Sequence, residues 1–135
     1  MMLYNIYTGR VEGVSTKQEE IVYILSSIEK LQELGVRFVF TDGHALACNT
    51  RYFDGLEALK QLDWVTIHSK DFRKRLDDLD RSRRYQAECL VHNRLPIEAI
   101  THIVCKDADR EYFLHEQVNS RQSSVTVLKA NQYYF

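Results

Sequence analysis

The sequence predicts an α+β protein built on a mixed, mostly antiparallel sheet with short helices. Three observations lead there. Apolar runs of strand length, rich in Val, Ile, Phe and Tyr, recur along the 135 residues. Segments with helical spacing are few and short. Strand and helix do not alternate regularly at full length, as a doubly wound parallel sheet requires. At this length a single domain, 1–135, with a core of its own is expected.

In chain order, Leu3 to Tyr7 alternates aromatic and branched residues and predicts a strand ending at Thr8-Gly9-Arg10. Ile21 to Leu25 is a continuous apolar run, read as a buried strand. Ser26 or Ser27 then caps a helix with Ile28, Leu31 and Leu34 on one face and Gly35 as its stop. Val36 to Phe40 predicts a strand that opens into the polar loop Thr41-Asp42-Gly43-His44-Ala45. Phe53, Leu56, Leu59 and Leu62 have helical spacing, and Asp63 to Ile67 reads as extended. Residues 68–84 are the least structured stretch. Glu88 to Val91 is a short strand, Leu95-Pro96-Ile97-Glu98 a helix start, and Thr101 to Cys105 another strand. Asp107 caps a helix to about Ser120, Val125 to Leu128 is the last strand, and Tyr133-Tyr134-Phe135 is an aromatic tail expected to dock on the core.

Composition excludes more than it selects. A formal net charge of −1 gives no global pull towards nucleic acid or an anionic membrane, so such a partner needs a local patch. The one local excess of positive charge is 68–84, with seven Lys or Arg against four Asp. It reads either as a solvated loop or as a loop contacting a polyanion. No apolar run approaches the ~18 residues of a membrane helix. The first residues lack the basic and apolar regions of a signal peptide, and the cytoplasm is the expected compartment. Cys48, Cys89 and Cys105 match no zinc template, and Cys89 and Cys105 are expected to be buried thiols.

The candidate chemistry centres on Arg83 to His92. Glu88 stands between the cationic, hydrogen-bonding Arg83-Arg84-Tyr85 and the apolar Cys89-Leu90-Val91, where a surface loop enters the core. A carboxylate at such a junction is partly desolvated yet reaches a ligand; the alternative is a strand-edge glutamate paired with Arg83 or Arg84. The five glycines are isolated, which removes phosphate-loop and dinucleotide-fold readings, and no serine sits in a nucleophile elbow. Asp42, His44, Glu88 and His92 have no metal-ligand spacing, so no metal is expected. What remains is a pair, His44 and Glu88. A carboxylate that stabilises positive charge on a sugar, helped by a polarising imidazole, suits glycosidic-bond chemistry. No matching second carboxylate appears, which weakens ordinary two-carboxylate glycoside hydrolysis.

Met2-Leu3-Tyr4, Thr41-Asp42-Gly43-His44-Ala45 and Gln86-Ala87-Glu88-Cys89-Leu90-Val91-His92, followed by Leu95-Pro96, resemble the DarT-type DNA ADP-ribosyltransferases, in order as well as in content. The resemblance implies a split mixed sheet holding NAD in a cleft. It also implies transfer of ADP-ribose from NAD to a base, typically thymidine, in single-stranded DNA. Glu88 falls on the family's catalytic glutamate and His44 on its active-site histidine. The loop before the glutamate, here 68–87, is where such enzymes read their target, and Arg81, Arg83, Arg84 and Tyr85 suit phosphate contact and base stacking. The family's members are toxins of toxin–antitoxin pairs, so a macrodomain-type antitoxin is an implied partner. They also carry a further N-terminal portion that binds NAD. On that expectation the chain matches the C-terminal portion of the family domain, and its cofactor-binding residues are not identified. A catalytically inactive relative that binds nucleic acid or a partner protein is the other reading left open.

Overall fold

The computed structural model describes residues 2–13, 15–69, 71, 73 and 75–134, without the side chains of 2–4. In chain order the helices and strands are α1 (Met2–Tyr7), β1 (Tyr23–Leu25), α2 (Ile28–Glu33), β2 (Phe38–Thr41), β3 (Tyr52–Phe53), α3 (Trp64–His68), α4 (Arg81–Arg84), β4 (Cys89–Val91), β5 (His102–Cys105), α5 (Ala108–Ser120) and β6 (Thr126–Lys129). Short 3₁₀ turns occupy Gln18–Glu20, Leu56–Gln61, Ile97–Ala99 and Asn131–Tyr133. Two sheets of three strands carry the fold, ordered β1-β5-β6 and β3-β2-β4, and every pairing is antiparallel except β5 with β6. The predicted mixed, mostly antiparallel architecture is therefore present. None of the described helices is long and apolar enough to cross a membrane.

The chain divides into two compact units, Met1–Leu34 with Pro96–Phe135, and Gly35–Leu95. The first unit packs Leu31, Ala99, Val104, Cys105, Val127 and Tyr134 out of solvent around β5. The caps read from sequence are formed. Ser27 Oγ accepts from Lys30 N–H at the start of α2, and Asp107 Oδ1 accepts from Arg110 N–H at the start of α5. The aromatic tail docks as expected: Tyr134 is buried, its ring lies 5.3 Å from Tyr23, and its hydroxyl is 2.9 Å from the Ile21 carbonyl. Phe135 lies outside the described residues.

Leu3 to Tyr7 is not a strand but α1, because a period-two pattern over five residues does not exclude a helix. Arg10 N–H bonds Asn5 O and Gly9 N–H bonds Ile6 O, closing α1 on Gly9 at φ +67°. That is a helix C-terminus, and Thr8-Gly9-Arg10 ends a helix rather than a strand. The Ile21 to Leu25 run forms only a three-residue strand, and Ile24 points outward, 58% exposed.

The second unit holds Phe40, Thr41, Asp42, Ala58 and Thr66 inside. Its sheet continues the register Phe38↔Val91, Val39↔Leu90, Phe40↔Cys89, so Thr41 comes opposite Glu88. Asp63 to Ile67 is helical, not extended, because Asp63 Oδ1 caps α3 by accepting from Thr66 N–H at 3.0 Å. The β-branched run Val65-Thr66-Ile67 yields to that cap. Helical spacing at Phe53 to Leu62 is broken at Gly55 (φ +83°). Phe53 instead pairs with Phe40 in the sheet, and only Leu56–Gln61 turns. Within 68–84, residues 81–84 form α4. Cys105 is buried, but Cys89 is exposed, because β4 is an edge strand with one face open to solvent.

Candidate active site

The Thr41–Ala45 loop and the Gln86–His92 segment meet inside the second unit. Strand pairing carries Thr41, the last residue of β2, alongside Glu88, which immediately precedes β4. Thr41 N–H donates to Glu88 O at 2.9 Å, and Glu88 N–H donates to Thr41 Oγ1 at 3.0 Å. Two residues past Gly43, the loop turns its Ala45 N–H onto Glu88 Oε2 at 2.8 Å. Among the described residues nothing donates to Glu88 Oε1. The half-buried carboxylate is thus held by one oxygen and open at the other. That is the loop–strand junction the sequence suggests, and neither Arg83 nor Arg84 pairs with it.

His44, the neighbour of Ala45, is exposed. Its Nδ1 accepts from Leu46 N–H at 3.1 Å, so the neutral ring carries its proton on Nε2 and presents a donor. The loop backbone around it is closed at successive carbonyls. Thr41 Oγ1 donates to Gly43 O, Thr50 Oγ1 to His44 O, and Tyr52 OH to Ala45 O.

Asp42 anchors this loop from beneath. It is 6% exposed. Oδ1 accepts from Arg51 N–H at 2.9 Å and Arg83 Nη1 at 2.7 Å, and Oδ2 accepts from Arg51 Nε at 2.8 Å. Burial alone would raise its pKa, but the hydrogen bonds from Arg51 and then Arg83 outweigh it and hold the carboxyl below the usual range. With its oxygens spent on two arginines, Asp42 is an anchor and not a ligand. His92 is likewise engaged, its Nδ1 3.1 Å from Arg37 Nη2. Arg51 and Thr41 are the site residues that sequence reading passed over. Thr41 opens the Thr41–Ala45 motif but was given no role of its own, Arg51 stands in no motif, and only the β2–β3 pairing brings Arg51 back to Asp42.

The basic stretch has turned inward. Arg83 spans two carboxylates: Nε and Nη2 take both oxygens of Asp80 at 2.7 and 2.9 Å, while Nη1 reaches Asp42 Oδ1 and its carbonyl. Arg84 reaches Asp63 through Nε at 2.8 Å, and also Asp78 and Asp80. Arg81 bonds Ser69 Oγ at 2.7 Å. The Asp80 carboxyl is lowered to about 2, first by its hydrogen bond from Arg83. Asp63 is also lowered to about 2, by the Thr66 N–H ahead of Arg84. Arg83 and Arg84, which the resemblance places at DNA phosphates, thus hold carboxylates inside the 68–87 loop and beside it. Asp80 stands three and four residues before these arginines, so its pairings were open to sequence spacing, but Asp42 and Asp63 lie outside the stretch. Tyr85 is half-buried. Among the described residues the exposed cations of this loop are Arg73 and Arg75, which share the carboxylate of Asp71 and leave the trio net positive. Lys70 and Lys74 lie outside the described residues.

Along residues 1–135 the chain matches the family described as ssDNA thymidine ADP-ribosyltransferase, DarT. It is similar to a DNA ADP-ribosyl transferase of Escherichia coli O127:H6 (strain E2348/69 / EPEC), 34% identical over 134 residues, which is 99% of this chain and 62% of that protein. A DNA ADP-ribosyl transferase of Thermus sp. (strain 2.9) is 37% identical over 102 residues, 76% of this chain and 47% of the relative. The chain thus spans less than two thirds of either protein's length. Among solved structures, Thermus sp. 2.9 DarT in complex with carba-NAD+ aligns with a TM-score of 0.88 at 28% identity, covering 99% of this chain and 67% of that one. The complex of Thermus sp. 2.9 DarT with ADP-ribosylated ssDNA gives the same TM-score. By the match along its whole length, the chain belongs to the DarT family of ssDNA thymidine ADP-ribosyltransferases.

Proposed function

We propose that this chain takes part in transfer of ADP-ribose from NAD to thymidine in single-stranded DNA, with Glu88 as its catalytic carboxylate. The observation that carries the reading is the asymmetry of Glu88: Oε2 fixed by Ala45 N–H, Oε1 open at a strand end. Family membership and the Thermus sp. 2.9 DarT complexes with carba-NAD+ and with ADP-ribosylated ssDNA support it.

NAD fits such a carboxylate. An open oxygen accepts from a ribose hydroxyl and places negative charge beside the anomeric carbon as it becomes oxocarbenium-like. The C1′–nicotinamide bond breaks with its electron pair leaving on nicotinamide. A heteroatom of thymine then bonds to C1′ and releases its proton, for which Glu88 is the acceptor in place. His44, with a donor at Nε2, polarises or orients the reacting groups. The 68–87 loop faces the DNA, with Arg73 and Arg75 at phosphates, Arg81 and Tyr85 shaping its inner wall, and Arg83 and Arg84 bracing it. An antitoxin of macrodomain type is the partner that family membership suggests.

The test is incubation with labelled NAD and thymidine-containing single-stranded oligonucleotides. Transfer of label to DNA that falls about 10²–10³-fold or more in Glu88→Gln supports the reading. If the oligonucleotide shifts in a salt-dependent way without becoming labelled, the chain is a nucleic-acid-binding module instead.

A further inference from the structure

We infer that Arg83 is a positioning residue that ties the target-reading loop to the catalytic carboxylate, through Asp42 and Gly43. This rests on the role of Glu88 proposed above. The linkage runs through one side chain with a holder at each end. On the loop side, Nε and Nη2 grip both oxygens of Asp80. On the site side, Nη1 grips the side chain and the carbonyl of Asp42, the residue before Gly43. Between these ends the Arg83 stem lies flat across Gly43. A Cβ built on Gly43 would stand 2.6 Å from Arg83 Cγ, 2.6 Å from Nη1 and 3.0 Å from its carbonyl oxygen. The φ of Gly43 is not positive, so glycine is needed there for the passage of Arg83 and not for the backbone's own turn.

From Gly43 the chain continues to Ala45, whose N–H fixes Glu88 Oε2. From Arg83 it continues through the turn bonds Gln86 N–H to Arg83 O and Ala87 N–H to Arg84 O, arriving at Glu88 from the other side. Arg83 thus closes a ring whose two arms end on the same carboxylate. A movement of Asp80 on the loop reaches the Ala45–Glu88 bond by way of a guanidinium that is 16% exposed and held at both ends. A lysine keeps the charge and reaches one carboxylate, but it lacks the planar fork needed to hold Asp80 and Asp42 together.

The experiment combines amide hydrogen exchange with kinetics on Arg83→Lys and Asp80→Asn, the second variant leaving Arg83 itself in place. Exchange at Ala45 N–H is expected to quicken by about ten-fold or more in both, while Val104 in the other unit stays protected. In turnover, kcat for transfer to DNA falls and KM for NAD holds. Unchanged Ala45 exchange in both folded variants overturns the inference, and this readout needs no turnover. Label transfer that is absent from wild type, or insensitive to Glu88→Gln, sinks the catalytic reading instead, so the two failures are distinguishable.

Discussion

Gly43→Ala is the substitution whose cost the structure sets most narrowly. The backbone accepts alanine, since Gly43 is not at positive φ. The whole penalty comes from the new methyl, which would sit 2.6 Å from two atoms of Arg83. Two routes relieve the clash. Arg83 can stay, with the loop displaced, at the overpacking cost of about 1–3 kcal/mol. Alternatively it can swing away and give up its pairings to Asp42 and Asp80, where hydrogen bonds to charged groups are worth about 1.5–3 kcal/mol each. The cheaper route wins, so a loss of about 2 kcal/mol is expected, which for a chain of this size lowers Tm by roughly 5–10 °C. Trp64 is the sole tryptophan and lies in the same unit, so its fluorescence on thermal or urea unfolding reads the effect. In an Arg83→Ala background the two side-chain atoms are gone and only the carbonyl oxygen at 3.0 Å remains, so the same substitution should cost under about 1 kcal/mol. A Tm within about 1 °C of wild type for the single change refutes the contact. An undiminished penalty in the Arg83→Ala background does the same.

Arg84→Ala leaves Asp63, Asp78 and Asp80 facing one another without their shared cation. These groups are only partly exposed, so a loss of about 1–3 kcal/mol is expected by urea unfolding, between the values for surface and buried pairs; an unchanged midpoint contradicts it. The second unit should also be acid-sensitive. Asp63 and Asp80 drop from 3.8 to about 2 on folding, and Asp42 and Asp78 shift the same way. A depressed folded-state value stabilises above the unfolded one, so stability is present above about pH 4 and drains away as pH falls towards 2. Trp64 fluorescence across that window measures it, and a flat profile refutes it.

The sheet architecture was legible from residues because its signals are local. Val36 to Phe40, Thr101 to Cys105 and Val125 to Leu128 are short branched or aromatic runs, and each gave a strand. The caps at Ser27 and Asp107 were legible for the same reason. Asp63 shows where this fails: the same kind of cap was present, but four branched or aromatic neighbours, Trp64 to Ile67, made the segment look extended. The site was half legible. Glu88 at the mouth of a strand and the Thr41–Ala45 loop were marked by their own residues and by resemblance. Their joining through Ala45 N–H depends on register between strands 47 positions apart, which no local pattern encodes. The arginines were the hardest. A run such as Arg81-Ser82-Arg83-Arg84 carries no sign of whether its counterions are phosphates outside or aspartates within, and here Asp42, Asp63, Asp78 and Asp80 supply them.

The proposed role of Glu88 in ADP-ribosyl transfer to thymidine is tested most directly by one measurement. Labelled NAD is incubated with single-stranded oligonucleotides that contain or lack thymidine, using wild type and Glu88→Gln side by side. Label is expected on the thymidine-containing strand alone, with wild type alone. Unlabelled DNA with wild type, or equal labelling by Glu88→Gln, contradicts the claim.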